Sequence, residues 1–314
     1  MKLLLFNPAT EYALASGASF YTPPARVESL RKESQLLPEK WADPDDMILV
    51  DDKTGLQSRF KLVQWDELEH LFCEYPDLIV EPWGWNPALV RKLQDYGVPP
   101  SKLPDSQVMA RIRELAHRRT TVSLNAAWNT LVDDVYQTDI PMEFSKVDDC
   151  MEFYRRNKGC WMKAPWSSSG RGVINTAADM SEVLVEQWCH GIIRRQGSVM
   201  GETGADRLAD FATEWHMHDG KAEYLGLSSF STSNRGKYVS NETLSQTALR
   251  KKFDSLSDMK IADVVALQKG ILESLLTGYE GLFGVDMIVE RNGKLRPFVE
   301  VNLRRTMGML HIIR

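Results

Sequence analysis

Glu300 and Asn302 stand two residues apart in the run Phe298-Val-Glu-Val-Asn-Leu-Arg304. Alternate residues of a strand share a face, so both oxygen-bearing side chains point the same way. Asp286 lies on an apolar run that the turn Arg291-Asn-Gly-Lys294 folds back against this one. Carboxylate and amide oxygens are the ligands a hard divalent cation prefers. A solvated sheet face is the alternative reading of such alternation. Against it, Val285, Ile288, Phe298, Val299 and Val301 make both strands apolar, and a carboxylate in that company needs a partner. Register matters here. A two-residue turn at Asn292-Gly293 would pair Asp286 with Val299 and face it away from the other two. A three-residue loop with a bulge would bring all three to one face, so the cation reading predicts a bulge or irregular loop near Gly293.

A second group begins at Lys163, in Trp161-Met-Lys-Ala-Pro-Trp-Ser167. Ser168, Ser169, Gly170 and Gly172 follow at once. Small residues let backbone N–H groups approach a phosphate and adopt positive φ, and Lys163 adds a cation beside them. No Gly-Lys-Ser/Thr follows, so this is not a Walker A loop. The third glycine of a dinucleotide fingerprint is also missing. An ordinary surface loop is the competing reading. Glu214, His216 and His218 alternate on one strand, a pattern that fits a wet sheet face and also, less often, a transition-metal site. Asn7-Pro8 and Trp83-Gly84-Trp85 follow strand ends, where open α/β sheets bind ligands. Packing at a domain contact is the other reading of the tryptophans.

The elements that carry these residues are legible in outline. Strands are expected at 2–6, 47–51 and 78–81, with a helix at 86–96 closed by Gly97 and Pro99-Pro100. Strand–helix alternation of this kind predicts a small α/β unit with a mostly parallel sheet. The Pro-rich stretch 98–104 marks a boundary. Helices are expected at 105–117, 120–131, 180–196 and 261–276, and strands at 198–202, 211–218, 223–230, 283–290 and 295–303. The predicted division is 1–105 and 106–314, the second part splitting at 197/198.

The chain has 314 residues, of which 43% are apolar and 26% charged, with net charge −5. No Lys/Arg block forms a nucleic-acid stripe. The apolar start ends at Asn7-Pro8, short of a secretory h-region of roughly 7–15 residues. No stretch reaches the roughly 18 apolar residues of a membrane span. Cys73, Cys150, Cys160 and Cys189 show no metal spacing. They read as reduced core thiols, which points to the cytoplasm.

Lys163 with its Ser/Gly loop, followed by Asp286…Glu300-Val-Asn302, resembles the ATP-grasp superfamily, from about residue 118 to 304. The resemblance implies an α/β N-terminal domain followed by an α+β ATP-grasp domain whose two subdomains clasp the nucleotide. It implies ATP and Mg²⁺ (or Mn²⁺). Lys163 and Arg118 would contact phosphates, with Arg118 standing where relatives carry Lys. Ser168, Ser169, Gly170 and Gly172 would cover the terminal phosphates. Met200 and Glu202, in the stretch 198–202, would meet the adenine or ribose. Asp286, Glu300 and Asn302 would hold the metal, and Arg304 would face the transferred phosphoryl group. Arg235 and Lys237 are candidates for binding a substrate carboxylate or acyl phosphate. The implied activity is a ligase joining a small-molecule or peptide-like carboxylate to an amine through an acyl phosphate, making a carbon–nitrogen bond in preference to carbon–sulfur. A kinase on the same fold and a non-catalytic nucleotide-binding protein are the alternatives.

Overall fold

The computed structural model describes residues 1–167, 172–176, 180–232 and 238–312. The chain forms two compact units, Met1–Glu114 and Leu115–Arg314.

In the first unit, strands and helices alternate: β1 (Lys2–Leu5), α1 (Thr10–Ser16), α2 (Ala25–Glu33), β2 (Met47–Val50), β3 (Lys61–Gln64), α3 (Leu68–Glu74), β4 (Ile79–Pro82) and α4 (Pro87–Asp95), with α5 (Ser106–Leu115) at its end. The four strands form a parallel sheet in the order β3-β2-β1-β4. Leu3, Leu4, Ile48 and Val50 are buried, as both faces of a parallel sheet require. Asn86 caps α4 by accepting from the Leu89 N–H at 3.0 Å, with Pro87 in the first turn. The residues at the strand ends bond to each other. Asn7 Nδ2 donates to the Gly84 carbonyl at 2.6 Å and Asn7 Oδ1 accepts from Gly84 N–H at 3.3 Å. Trp83 packs against Phe6 and Trp41, with ring centroids 5.0 and 5.7 Å away. One expectation fails here. Cys73 is exposed rather than a core thiol, because α3 buries the stripe Leu68, Leu71 and Phe72 and residue 73 falls beside it.

The second unit contains α6 (Thr120–Leu131), β5 (Met142–Phe144), α7 (Val147–Arg156), β6 (Trp161–Lys163), β7 (Val173–Asn175), α8 (Glu182–Gln196), β8 (Val199–Glu202), β9 (Arg207–His218), β10 (Lys221–Thr232), β11 (Tyr238–Asn241), α9 (Gln246–Leu256), α10 (Ile261–Leu275), β12 (Gly281–Glu290) and β13 (Leu295–Asn302). It holds two antiparallel sheets. The smaller has the order β5-β8-β6-β7. Cys150 and Phe153 of α7 and Val185, Cys189 and Ile192 of α8 pack with Met162 and Val199 behind it. Gly201 is required there, since a Cβ would meet the Phe144 and Phe153 rings at 2.7 and 2.8 Å.

The larger sheet has the order β11-β10-β9-β12-β13. One face is apolar and fully buried through Phe211, Trp215, Phe283, Val285 and Met287. Helices α6, α9 and α10 lie against this sheet; Phe253 of α9 meets Phe211 at 5.1 Å and Trp128 of α6 meets Phe298 at 6.2 Å. The other face carries the polar residues.

The β12–β13 hairpin turns through a three-residue loop, 291–293. Glu290 N–H donates to the Lys294 carbonyl at 2.9 Å, and Gly293 takes φ +88°. Ile288 pairs with Arg296, but Asp286 pairs with Glu300, so the strand bulges at 297–299 rather than beside Gly293. Pro297 has no N–H to lose from the ladder. The displaced carbonyls of Pro297 and Phe298 accept from Gln268 Nε2 at 2.8 Å and Asn125 Nδ2 at 2.9 Å. Two helix side chains thus satisfy the bulge.

Candidate active site

Asp286 and Glu300 are direct register partners, and Asn302 sits opposite Gly284. All three therefore share the polar face of the larger sheet. The next strand extends it: Glu214 lies opposite Gly284, Ala212 opposite Asp286, and Asp210 opposite Ile288. From the smaller sheet come Lys163 and Glu202, two positions apart in register on β6 and β8. Arg118 comes from the turn before α6. These side chains line one cavity of about 550 Å³, together with Trp161, Ser228 and Arg304. That volume suits a nucleotide-sized ligand.

Both basic residues are already paired. Lys163 Nζ lies 2.6 Å from Glu202 Oε2, both side chains being about a tenth exposed. Arg118 Nη2 donates to Glu300 Oε1 at 2.6 Å, while Nη1 donates to the Ala164 carbonyl and to Ser167 Oγ, each at 2.7 Å. Its buried Nε has no hydrogen-bond partner among the described residues. Arg118 thus ties the start of the Ser/Gly loop to β13. Gly172 closes the loop's far end at φ +71°, its carbonyl accepting from Ala164 N–H at 2.7 Å. Ser168, Ser169, Gly170, Arg235 and Lys237 lie outside the described residues. Met200 is fully buried opposite Lys163, its backbone paired on both sides by β5 and β6. The chain that borders the cavity next to Glu202 is 203–205. Arg296 pins it by donating to the Thr203 and Gly204 carbonyls at 3.1 and 2.9 Å.

The carboxylates on the floor repel one another. Burial, then the Glu300 charge, pushes Asp286 well above the ordinary carboxylate range. Burial raises Asp210, opposed by Arg207 and a 2.8 Å bond from Thr232 Oγ1. Glu214 is pushed up to about 7 by burial, opposed by hydrogen bonds from Thr306 and Ser228 and by the Arg304 charge. Arg304 Nη2 donates to Asn302 Oδ1 at 3.2 Å and Nη1 to the Arg305 carbonyl at 3.0 Å.

Glu214 does not join His216 and His218. The two histidine rings stack at 6.1 Å, and His218 is exposed beside Asp219 and Glu280. The sequence places Glu214 on a strand face that could border the nucleotide cleft, but it singles out neither Asp210 nor Arg296. The signal for Asp210 is its place on the same face as Glu214, in Asp210-x-Ala212-x-Glu214 alternating with the apolar Phe211 and Trp215, readable once this strand is known to neighbour β12.

Facing Asp286 and Glu300, with the Asn302 amide beside them, form a hard-oxygen donor set. The mutual repulsion of the two carboxylates is what a divalent cation would relieve. Among the described residues no three His, Cys, Asp or Glu side chains are arranged to hold a metal by themselves. Mg²⁺ takes one or two carboxylates and fills its remaining positions with phosphate oxygens and water, and Asp286 and Glu300 offer two. No described helix is long and apolar enough to cross a membrane.

No family model matches the sequence, and no curated protein matches it. Solved structures do share its architecture. N5-carboxyaminoimidazole synthetase from Staphylococcus aureus, complexed with ADP, superposes with a TM-score of 0.52 at 11% identity, over 98% of this chain and 71% of that one. The biotin carboxylase domain of 2-oxoglutarate carboxylase from Hydrogenobacter thermophilus, in complex with MgADP and bicarbonate, gives 0.55 at 13%, over 98% and 64%. L-amino acid ligase from Bacillus licheniformis gives 0.51 at 14%, over 99% and 68%. This chain thus spans about two thirds of the length of these structures. An N-terminal parallel sheet followed by two antiparallel sheets, with a polar cavity lined from both, is the ATP-grasp fold, and this chain has it.

Proposed function

We propose that the protein is an ATP-dependent ligase that activates a carboxylate as an acyl phosphate and passes it to an amine. The observation that carries this reading is the convergence of Arg118 and Lys163 with Asp286, Glu300 and Asn302 on one cavity. Cations from one sheet side and oxygen donors from the other are what a metal–triphosphate needs. Bound between Asp286, Glu300 and Asn302, Mg²⁺ or Mn²⁺ would neutralise charge developing on the terminal phosphates.

The chain's own residues do the rest. Lys163 and Arg118 exchange their carboxylate partners for phosphate oxygens and orient the triphosphate. Glu202 and the adjoining 203–205 backbone border the nucleoside end. Arg304 faces the terminal phosphoryl group and stabilises its charge in transit. A carboxylate oxygen of the substrate attacks the γ-phosphorus, and the bond to the ADP oxygen breaks. The amine then attacks the acyl carbon, phosphate leaves, and the amine loses a proton.

Support comes from the shared fold and from the donor chemistry of the cavity. The test is ATP turnover against panels of carboxylates and amines, with products analysed by mass. Lys163→Ala and Glu300→Ala are expected to lower turnover at least about a hundredfold. Wild-type turnover in either variant would overturn the site. A phosphorylated product that persists in the presence of every amine would replace ligation by phosphotransfer.

A further inference from the structure

We infer that Glu214 is a positioning residue. It holds the chain segment 302–309 against the sheet and thereby sets where Arg304 stands. The inference rests on the nucleotide reading above for the role of Arg304, but the clamp itself is a property of the fold.

Glu214 is 1% exposed and sits at the centre of the polar face. One carboxylate oxygen accepts from Ser228 Oγ at 2.9 Å, the other from Thr306 Oγ1 at 2.8 Å. Thr306 Oγ1 in turn accepts from the Met309 N–H at 3.3 Å. Two glycines make the space. A Cβ on Gly308 would lie 2.2 Å from one Glu214 oxygen and 2.4 Å from Ser228 Oγ. A Cβ on Gly284 would lie 2.7 Å from the other oxygen. The segment therefore passes directly over the carboxylate, and Met309 beyond it is fully buried. Arg304 emerges between Asn302 and this clamp, close enough for its charge to act on both Glu214 and Asp286.

A burial this complete is unfavourable for a carboxylate unless each oxygen is bonded. The two hydroxyl donors supply those bonds, one from the sheet and one from the returning chain. Removing the Thr306 donor detaches the return from the sheet without touching Arg304 or the nucleotide cavity's cations. The guanidinium then loses its fixed place while the metal oxygens and Lys163 keep theirs.

The test uses Thr306→Val, which keeps shape and removes the donor, Thr306→Ser, which restores it, and Glu214→Met. Two readouts are taken. The first is tryptic cleavage after Arg304 and Arg305 in the absence of nucleotide. It is expected to speed up at least about tenfold in Thr306→Val and Glu214→Met, and to stay near wild type in Thr306→Ser. The second is the affinity ratio for the non-hydrolysable β,γ-imido analogue of ATP over ADP, both with Mg²⁺. It is expected to fall about tenfold in Arg304→Met and several-fold in Thr306→Val. ADP affinity itself should stay within about twofold, and the two substitutions together should be less than additive. Unchanged cleavage in Thr306→Val overturns the clamp. Faster cleavage with an unchanged ratio, where Arg304→Met does lower it, overturns the link to Arg304. If wild type binds neither nucleotide, the functional reading and the Arg304 role fall together, and the cleavage rates still decide the clamp.

Discussion

Replacing Glu300 by Gln changes one charge and almost no volume, and the structure sets opposite expectations with and without nucleotide. In the free protein the change leaves the buried Arg118 guanidinium facing a neutral amide oxygen in place of the carboxylate it meets at 2.6 Å, between side chains 5% and 25% exposed. Removing one partner of a fully buried pair costs about 3–5 kcal/mol; the retained amide acceptor and the partial exposure of Glu300 bring the figure to about 2–3. One effect opposes it: Asp286 no longer faces a charge. The Glu300 charge ranks second to burial in raising Asp286, so the relief is the smaller effect, about 1 kcal/mol. The net loss is about 2 kcal/mol, or a fall in Tm of about 4–8 °C for a unit of this size. With ADP the sign reverses. Wild-type phosphates must displace a carboxylate from Arg118, whereas in the variant only a neutral amide oxygen competes. Metal-free ADP should therefore bind Glu300→Gln up to about thirtyfold more tightly than wild type. Adding Mg²⁺ should strengthen ADP binding to wild type and do little for the variant. Calorimetric titration with ADP in EDTA and in MgCl₂ measures both. Equal or weaker metal-free binding in the variant, or an undiminished Mg²⁺ effect, refutes the exchange of partners at Arg118.

Other expectations follow from single contacts. Glu214→Gln should alter how stability depends on pH. The folded carboxyl, raised to about 7 by burial, binds its proton more tightly than the unfolded one. Its contribution is thus complete below the unfolded pKa near 4.5 and is lost as pH rises to about 7. Wild type should lose up to about 3 kcal/mol relative to the variant between pH 4.5 and 8, measured by urea unfolding. Arg304, Asp210 and Asp286 are present in both proteins and largely cancel; a pH-independent difference contradicts the placement of Glu214. Gln268→Leu leaves Thr213 Oγ1 and the Pro297 carbonyl without their partners, 2.9 and 2.8 Å away. It should destabilise by about 2–4 kcal/mol, and an unchanged midpoint contradicts its role in holding the bulge. Gly201→Ala forces a methyl against two aromatic rings and should cost about 1–3 kcal/mol, seen as a lower Tm.

The sequence revealed the site through residue spacing more than through element boundaries. Helices with a cap and a breaker were located to within a few residues: Asn86-Pro87 opens α4 and Gly197 ends α8. α7 and α9 were not anticipated, although each buries a regular stripe, Cys150, Met151 and Phe153 in one and Leu249 and Phe253 in the other. Glu300 and Asn302 could be placed on one face from period two alone, but Asp286 depended on register. The three-residue loop was foreseen; the bulge at 297–299 was not, because its support comes from Gln268 and Asn125 on distant helices. Arg118 was recognisable as basic and well placed, but its partner is 182 residues away. Glu214 is one of three alternating polar residues in the sequence; only tertiary structure separates it from the half-buried His216 and the exposed His218 and puts it beneath Thr306.

Crystals grown with the β,γ-imido analogue of ATP and Mn²⁺, with diffraction recorded at the manganese edge, show whether a cation and a triphosphate share the cavity between the two antiparallel sheets. An anomalous peak is expected within about 2.2 Å of oxygens from Asp286 and Glu300. Arg118 is expected to have turned from Glu300 to phosphate, with Lys163 released from Glu202. A nucleotide bound outside this cavity, or a manganese peak remote from both carboxylates, contradicts the proposed site.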